Sequence, residues 1–270
     1  MWANSSSSAW EASLRVHLAK KNTRTALTHA SHTGPLRVQR PFYPEGELCH
    51  LYFLHPPGGI VGGDKLAYEV SVGSGAKGLI TAPGANKVYR SKGPKAEIKQ
   101  HFRVEKEATL EWLPPGTIFF AGANAAFTST YQLASGAGLI ACETLCFGRP
   151  VMGETFDSGN VTSRLQVTLD ERLVINEVLR VSAGAAVLSG YAMQATLLVY
   201  PATDAMLSRV QALVAPSRFP GGATLLENIL VIRLLAEDNI PLERMVRALW
   251  EAVRHDIVGK VPLAPRIWAT

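Results

Sequence analysis

From Trp10 to about Tyr200 short apolar or alternating segments recur every ~10 to 20 residues, each closed by Gly or Pro. Residues 48–54 (LCHLYFL), 66–72 (LAYEVSV), 108–112 (ATLEW), 138–147 (GLIACETLCF) and 172–179 (RLVINEVL) are the plainest. No helical pattern separates them, which argues against a βαβ arrangement and for an all-β body. Residues 97–104 alternate strictly: Ile98, Gln100, Phe102 and Val104 point one way, Lys99, His101 and Arg103 the other. That second set is expected to be a solvated basic stripe.

After Pro201 the period changes. Met206, Leu207, Val210, Leu213 and Val214 share a helical face behind a Thr203 cap. Residues 224–227 (TLLE) have the form of a capping box, so a second helix is expected over residues 225–235, apolar nearly all round and either buried or facing a partner. A third helix is expected from Pro241, with Leu242, Met245, Val246, Leu249, Trp250 and Val253 on one face. The expected fold is mainly β with C-terminal α: an all-β body closed by two or three attached helices, with no fixed-length sequence repeat that would prove a solenoid. It divides into a Ser-rich tail (1–9), a β body (10–200), a helical segment (201–258) and a C-terminal tail (259–270), all one structural unit.

The totals narrow the function. A chain of 270 residues that is 47% hydrophobic can bury a core without staples. Its three cysteines form no disulfide framework and suit a reducing compartment, so a cytoplasmic location is expected. Net charge is +5, but the basic residues are spread along the chain and do not point to nucleic acid. The N-terminus lacks a basic and apolar leader pattern, and no run reaches the roughly 18 apolar residues of a membrane span, so no membrane partner is expected.

Glycine loops invite a nucleotide reading, and the spacing refuses it. In residues 55–64 (HPPGGIVGGD) Asp64 stands where a phosphate loop needs lysine, and the following segment alternates like a strand. The glycines there suit close backbone approach and positive φ at a tight corner. Residues 81–90 (TAPGANKVYR) read as a type II turn centred on Pro83 and Gly84. Cys142 and Cys146 share one face of a strand and read as core thiols rather than zinc ligands. His29, His32, His50 and His55 lack the companions of a tetrahedral site, so permanent metal binding is not indicated. Asp64, Glu111, Glu143 and Glu177 lie in or beside apolar strands, where a carboxylate is costly unless paired, hydrogen-bonded or facing water.

Five motifs then occur in order: residues 34–46 (GPLRVQRPFYPEG), 55–64, 83–91 (PGANKVYRS), 110–114 (LEWLP) and 265–268 (PRIW). Together they resemble the urease accessory protein family UreD, also called UreH, over nearly the whole chain. The resemblance implies a right-handed β-helical body and a non-enzymatic maturation factor that binds urease apoprotein, a UreF-type accessory protein and, through the complex, a UreG-type GTPase. It implies transient nickel and no permanently bound cofactor, with GTP bound by the partner alone. On that basis Asp64, Glu143 and Glu177 are expected to be acids of a nickel tunnel, spaced oxygen ligands that hold a cation weakly enough to release it. Tyr89 and Arg90 are expected to line or brace it, and Arg266, Ile267 and Trp268 to face the UreF-type partner. Where the family usually continues with Gln-Glu after Leu-Pro, and carries an acid after the Ile-Phe-Phe strand, this chain has Pro115, Gly116 and Ala121, and that region receives no nickel role. The competing reading is a β-helical hydrolase or lyase acting on carbohydrate, with Asp64 and Glu177 as acid and base.

Overall fold

The computed structural model describes residues 9–182, 188–217 and 219–269; the serine run of the expected N-terminal tail lies outside them. Eighteen strands are described: β1 (Glu11–Lys21), β2 (Arg24–Thr33), β3 (Arg37–Val38), β4 (Cys49–Leu54), β5 (Lys65–Val72), β6 (Lys77–Thr81), β7 (Asn86–Val88), β8 (Ala96–Val104), β9 (Thr109–Trp112), β10 (Thr117–Phe119), β11 (Asn124–Leu133), β12 (Gly138–Arg149), β13 (Glu154–Thr155), β14 (Asn160–Leu169), β15 (Arg172–Ser182), β16 (Met193–Tyr200), β17 (Gly221–Leu226) and β18 (Ile229–Ala236). Two helices join them, α1 (Asp204–Val214) and α2 (Asn239–Val258).

The strands stack as a solenoid. One sheet has the order β15-β14-β11-β8-β5-β1-β2, and the other runs β17-β18-β16-β12-β9-β6-β4-β3. Inside each sheet the central neighbours are parallel, because the chain leaves one sheet, crosses to the other and returns one layer further on. Lys65 pairs with Glu97, Ala96 with Ala125 and Ala125 with Val161, so successive turns take 32, 29 and 36 residues. Unequal turns explain why no fixed repeat is visible in the sequence. Antiparallel pairs close both ends of each sheet.

The two sheets differ in what covers them. β8 alternates buried and accessible residues as its sequence predicts, since its outer face meets water. β12 and β18 are buried on both faces: Leu139, Ala141, Leu145, Ile229 and Val231 fill the space between the sheets, while Ile140, Cys142, Cys146, Leu230 and Ile232 meet the helical layer. This double burial corrects the helix expected over residues 225–235. A strand covered on both sides is apolar throughout, as a buried helix is, and periodicity does not separate them. The supposed capping box is a hairpin tip, with Glu227 and Asn228 at φ 50° and 61°, the two positive values of a type I′ turn. The Glu227 carboxylate pairs with Arg172 rather than with a helix N-terminus.

The other two helices form as the sequence indicates. Thr203 caps α1 by accepting from the Met206 amide at 3.3 Å. In α2, Asp238 accepts from the Ile240 amide, Pro241 falls in the first turn, and Gly259 ends the helix at φ 72°.

α2 is fixed by a buried ionic cluster. Arg254 is fully buried and uses all five of its N–H groups: Nε and one terminal nitrogen on Glu111 (2.9 and 3.1 Å), both terminal nitrogens on Glu45 (2.6 and 2.7 Å) and one on the Val261 carbonyl (2.8 Å). Glu111 also accepts from Trp250 Nε1 at 2.7 Å, and Glu45 accepts from His50 Nε2 at 2.8 Å. Burial alone would raise the Glu45 carboxyl, but the His50 and Arg254 hydrogen bonds outweigh it and hold it at about 2. Replacing Arg254→Met strands two carboxylates in the interior. Thermal and denaturant unfolding are expected to show a loss of about 3–5 kcal/mol.

Candidate functional site

The corner formed by residues 55–64 is built from its glycines. Gly58 and Gly63 stand at φ 73° and 95°, where a side chain is strained. Gly59 and Gly62 serve instead for close approach: a Cβ on Gly59 would overlap the Tyr89 ring, and one on Gly62 would overlap the Ser91 hydroxyl. Asp64 is 1% exposed and accepts through one oxygen from the Trp10 amide and through the other from the Val61 amide, both at 2.8 Å. Its carboxylate therefore pins the corner to the start of β1. The neighbouring His55, not Asp64, lines the adjoining cavity. Burial lowers the His55 pKa, against the opposing pull of the Asp64 charge.

That cavity lies at a break in the larger sheet. β6 stops at Thr81 and β7 begins at Asn86; β9 stops at Trp112 and β10 begins at Thr117. The interruptions, residues 82–85 and 113–116, carry Pro83, Pro114 and Pro115, which cannot donate to a ladder. Gly84 lacks a positive φ, so Pro83-Gly84 forms a bend and not the expected type II turn. β12 runs on unbroken, pairing with β9 through residues 138–141 and with β10 through residues 145–147. Between them Cys142, Glu143 and Thr144 have no parallel neighbour.

A cavity of about 210 Å³ opens inward at this window, lined among others by His55, Gln100, Trp112, Glu143 and Thr144. A groove of about 940 Å³ opens outward, between the sheet and α2. Both are bordered by residues 82–85 and by Pro114, Thr117, Cys142 and Thr144, so the two spaces share one wall at the window, the cavity on the interior side of the sheet and the groove on its helical side.

Glu143 faces the interior. It is the sole carboxylate lining the cavity among the described residues. Tyr131 Oη donates to it at 3.5 Å, and the Ser129 hydroxyl beside it donates to Gln100 Oε1 at 3.3 Å. Burial lifts the Glu143 carboxyl to about 7, more than the Ser129 and Tyr131 hydrogen bonds lower it. Burial, then the Glu143 charge, raises the Tyr131 phenol. On the helical side of the same strand, burial pushes the Cys142 and Cys146 thiols to about 12 and about 11, so both sulfurs are protonated core groups as the sequence indicates.

Glu177 lies on the same layer as Glu143 but at the end of the body. Glu143 is opposite Thr196, and Thr196 is opposite Arg233. Arg233 reaches across to pair with Glu177 of β15, half-exposed. Glu143, Thr196 and Arg233 thus occupy one cross-strand row that ends at Glu177, whereas Asp64 stands apart. Tyr89 packs edge-on against Phe120 and over Gly59, and Arg90 is exposed; neither lines the cavity. Trp268 packs on Trp250 at 5.2 Å, donates to Thr81 Oγ1 at 3.2 Å, and with Ile267 forms part of the groove wall; Arg266 is exposed beside them. Glu111 and Arg254 form the structural pair least visible in sequence: the apolar strand marked Glu111 as a carboxylate needing a hydrogen bond, a partner or water, and the structure supplies Arg254. Among the described residues no three His, Cys, Asp or Glu side chains converge to hold a metal ion, and no helix is long and apolar enough to cross a membrane.

Comparison with known proteins matches residues 11–269 to the family described as UreD urease accessory protein. The chain is 48% identical over 263 residues to "Urease accessory protein UreD" of Enterobacter sp. (strain 638), covering 97% of this chain and 96% of the relative. It is 46% identical to the protein of that name from Citrobacter koseri, covering 97% and 92%, and 47% identical to that of Pseudomonas putida (strain W619), covering 97% and 95%. The chain belongs to the UreD family. Membership makes it a urease accessory protein, with a role in urease maturation.

The raised Glu143 pKa has a consequence for stability. The folded state holds this proton more tightly than the unfolded chain, so the stabilisation is complete below about 4.5 and is lost as pH rises through about 7. Glu143→Gln keeps the neutral shape. Its denaturant stability is expected to exceed that of the wild type above pH 7 by on the order of 3 kcal/mol, and the difference to vanish near pH 4.

Proposed function

We propose that this chain is a scaffold that binds urease apoprotein and UreF- and UreG-type accessory proteins and passes nickel toward the urease active site through the window beside Glu143. The observation that carries the reading is that an outward groove and an inward cavity share a wall at a point where one buried carboxylate has no parallel ladder neighbour on one side. One acid with hydroxyl and amide neighbours suits a cation in transit: it attracts the ion without the ligand set that would trap it. Nickel here is cargo, and GTP belongs to the partner GTPase. Glu143 is the acid of the passage, Arg233 and Glu177 stand at its far end, and Asp64, Tyr89 and Arg90 act by holding the corner beside it.

The groove is the docking place for the UreF-type protein. Val151 and Met152 on one lip and Ile240 on the other are 86%, 73% and 58% exposed, an apolar rim of the kind a partner covers. A partner seated there also delivers its cargo directly at the window. The hydrolase reading requires two acids about 5–10 Å apart across a groove. Asp64 is engaged by backbone amides, Glu177 by Arg233, and Glu143 enters its cavity alone among the described residues.

Urease matured in limiting nickel with Glu143→Ala is expected to show several-fold lower nickel content and activity while the accessory complex still co-purifies. Normal nickel content would remove Glu143 from the passage. Met152→Asp combined with Ile240→Asp is expected to abolish co-purification with the UreF-type protein; retained binding would move that interface elsewhere.

A further inference from the structure

Residues 70–96 contain no Asp or Glu and five cations. Four of them, Lys87, Arg90, Lys92 and Lys95, lie on one exposed strip, and none has an ion-pair partner among the described residues. The acids nearest in sequence and structure are engaged elsewhere. Glu97 pairs with Lys99, Glu154 with Arg149 and the Ala121 amide, and Asp157 accepts from Ser158.

The strip is held rigid by the glycine corner. Ile60 N–H donates to Lys87 O at 2.7 Å, Tyr89 N–H to Ile60 O at 2.8 Å, Ser91 N–H to Gly122 O at 2.9 Å and Gly63 N–H to Lys95 O at 3.3 Å. The Ser91 hydroxyl closes the intervening turn on Pro94 O at 2.8 Å, and Asn124 Nδ2 holds Gly93 O at 2.9 Å. Four like charges on a fixed backbone repel one another, and an opposite charge relieves the repulsion without an ordering cost to the backbone.

We propose that Lys87, Arg90, Lys92 and Lys95 form a docking strip for an acidic protein surface. Three features favour protein carboxylates over nucleic acid. The Tyr89 ring, the exposed aromatic within the strip, is engaged by Gly59 and Phe120 and offers no free stacking platform. Three of the four cations are lysines, which act as point charges rather than bidentate forks. The strip also adjoins the window, through Lys87 in the cavity lining. The proposal rests on the assembly reading above, with the acidic surface belonging to one of the proteins of that assembly.

The test is assembly of the full chain with urease apoprotein and accessory proteins across a salt series. It compares the wild type, a quadruple variant (Lys87→Gln, Arg90→Gln, Lys92→Gln, Lys95→Gln) and a control with Lys20→Gln, Lys21→Gln, Lys106→Gln and Arg180→Gln. The strip variant is expected to lose about tenfold or more in affinity at low salt and most of the salt dependence, with unchanged melting temperature, while the control binds as wild type. Equal losses in both variants, or none in either, overturn the strip. If the wild type joins no assembly, the assembly reading fails, and titration with heptaglutamate decides the strip by itself: binding lost in the quadruple variant supports it, and no binding by the wild type overturns it. A single-stranded oligonucleotide of equal charge that binds through these four residues more tightly than the peptide also overturns it.

Discussion

One buried guanidinium joins three distant parts of this chain. Arg254 comes from α2, Glu111 from a middle turn of the solenoid, Glu45 from the loop before β4 and Val261 from the C-terminal segment. Glu45, Glu111 and Arg254 lie far apart in sequence, and Val261 follows seven residues after Arg254, so the cluster ties two remote segments to the end of the chain. A lone charge at this depth is strongly disfavoured, so the three charged groups are stable there only together. The cluster fixes where α2 crosses the sheet. That position shapes the groove, because residues of the N-terminal half of α2, among them Ile240, Glu243, Val246 and Arg247, form one of its walls.

The window follows from a second constraint. A parallel sheet is held by ladder bonds on both sides of each strand, and proline removes the donor that the ladder requires. Two successive turns place proline-containing breaks at the same level, and the next strand, β12, bridges both without a break. Three of its residues are thereby left without parallel neighbours on one side. A carboxylate at that level has a cavity of about 210 Å³ beside it in place of a parallel strand. Glu143 can therefore be buried, short of full hydrogen bonding and with a raised pKa, without a counterion.

Much of the architecture was legible because it depends on local pattern. The alternation of residues 97–104, the cap at Thr203 and the face of α2 each rest on a few neighbouring side chains, and each formed as read. The helix over residues 225–235 failed for a physical reason: burial on both faces erases the period that distinguishes strand from helix, and the tip signal at Glu227 and Asn228 needs φ values that sequence does not display. The acids show the same division. Sequence marked Asp64, Glu111, Glu143 and Glu177 as carboxylates that need explanation, but the explanation of each is a long-range partner. Asp64 meets an amide fifty-four residues away, Glu111 an arginine in the last helix and Glu177 an arginine on β18.

These four environments separate, on electrostatic grounds, the acids that hold the fold from the one proposed to meet a cation. A carboxylate that accepts two backbone amides, or two N–H groups along one edge of a guanidinium, has its lone pairs committed, and a passing cation would have to displace those donors. Glu143 has one long hydrogen bond from a tyrosine and an adjacent cavity. Its charge is the least compensated of the three buried acids, so an arriving dication gains most there and a proton is the competitor it must displace. On the proposed passage, ion affinity and proton affinity at Glu143 are linked: below about pH 7 a cation that binds the carboxylate displaces its proton.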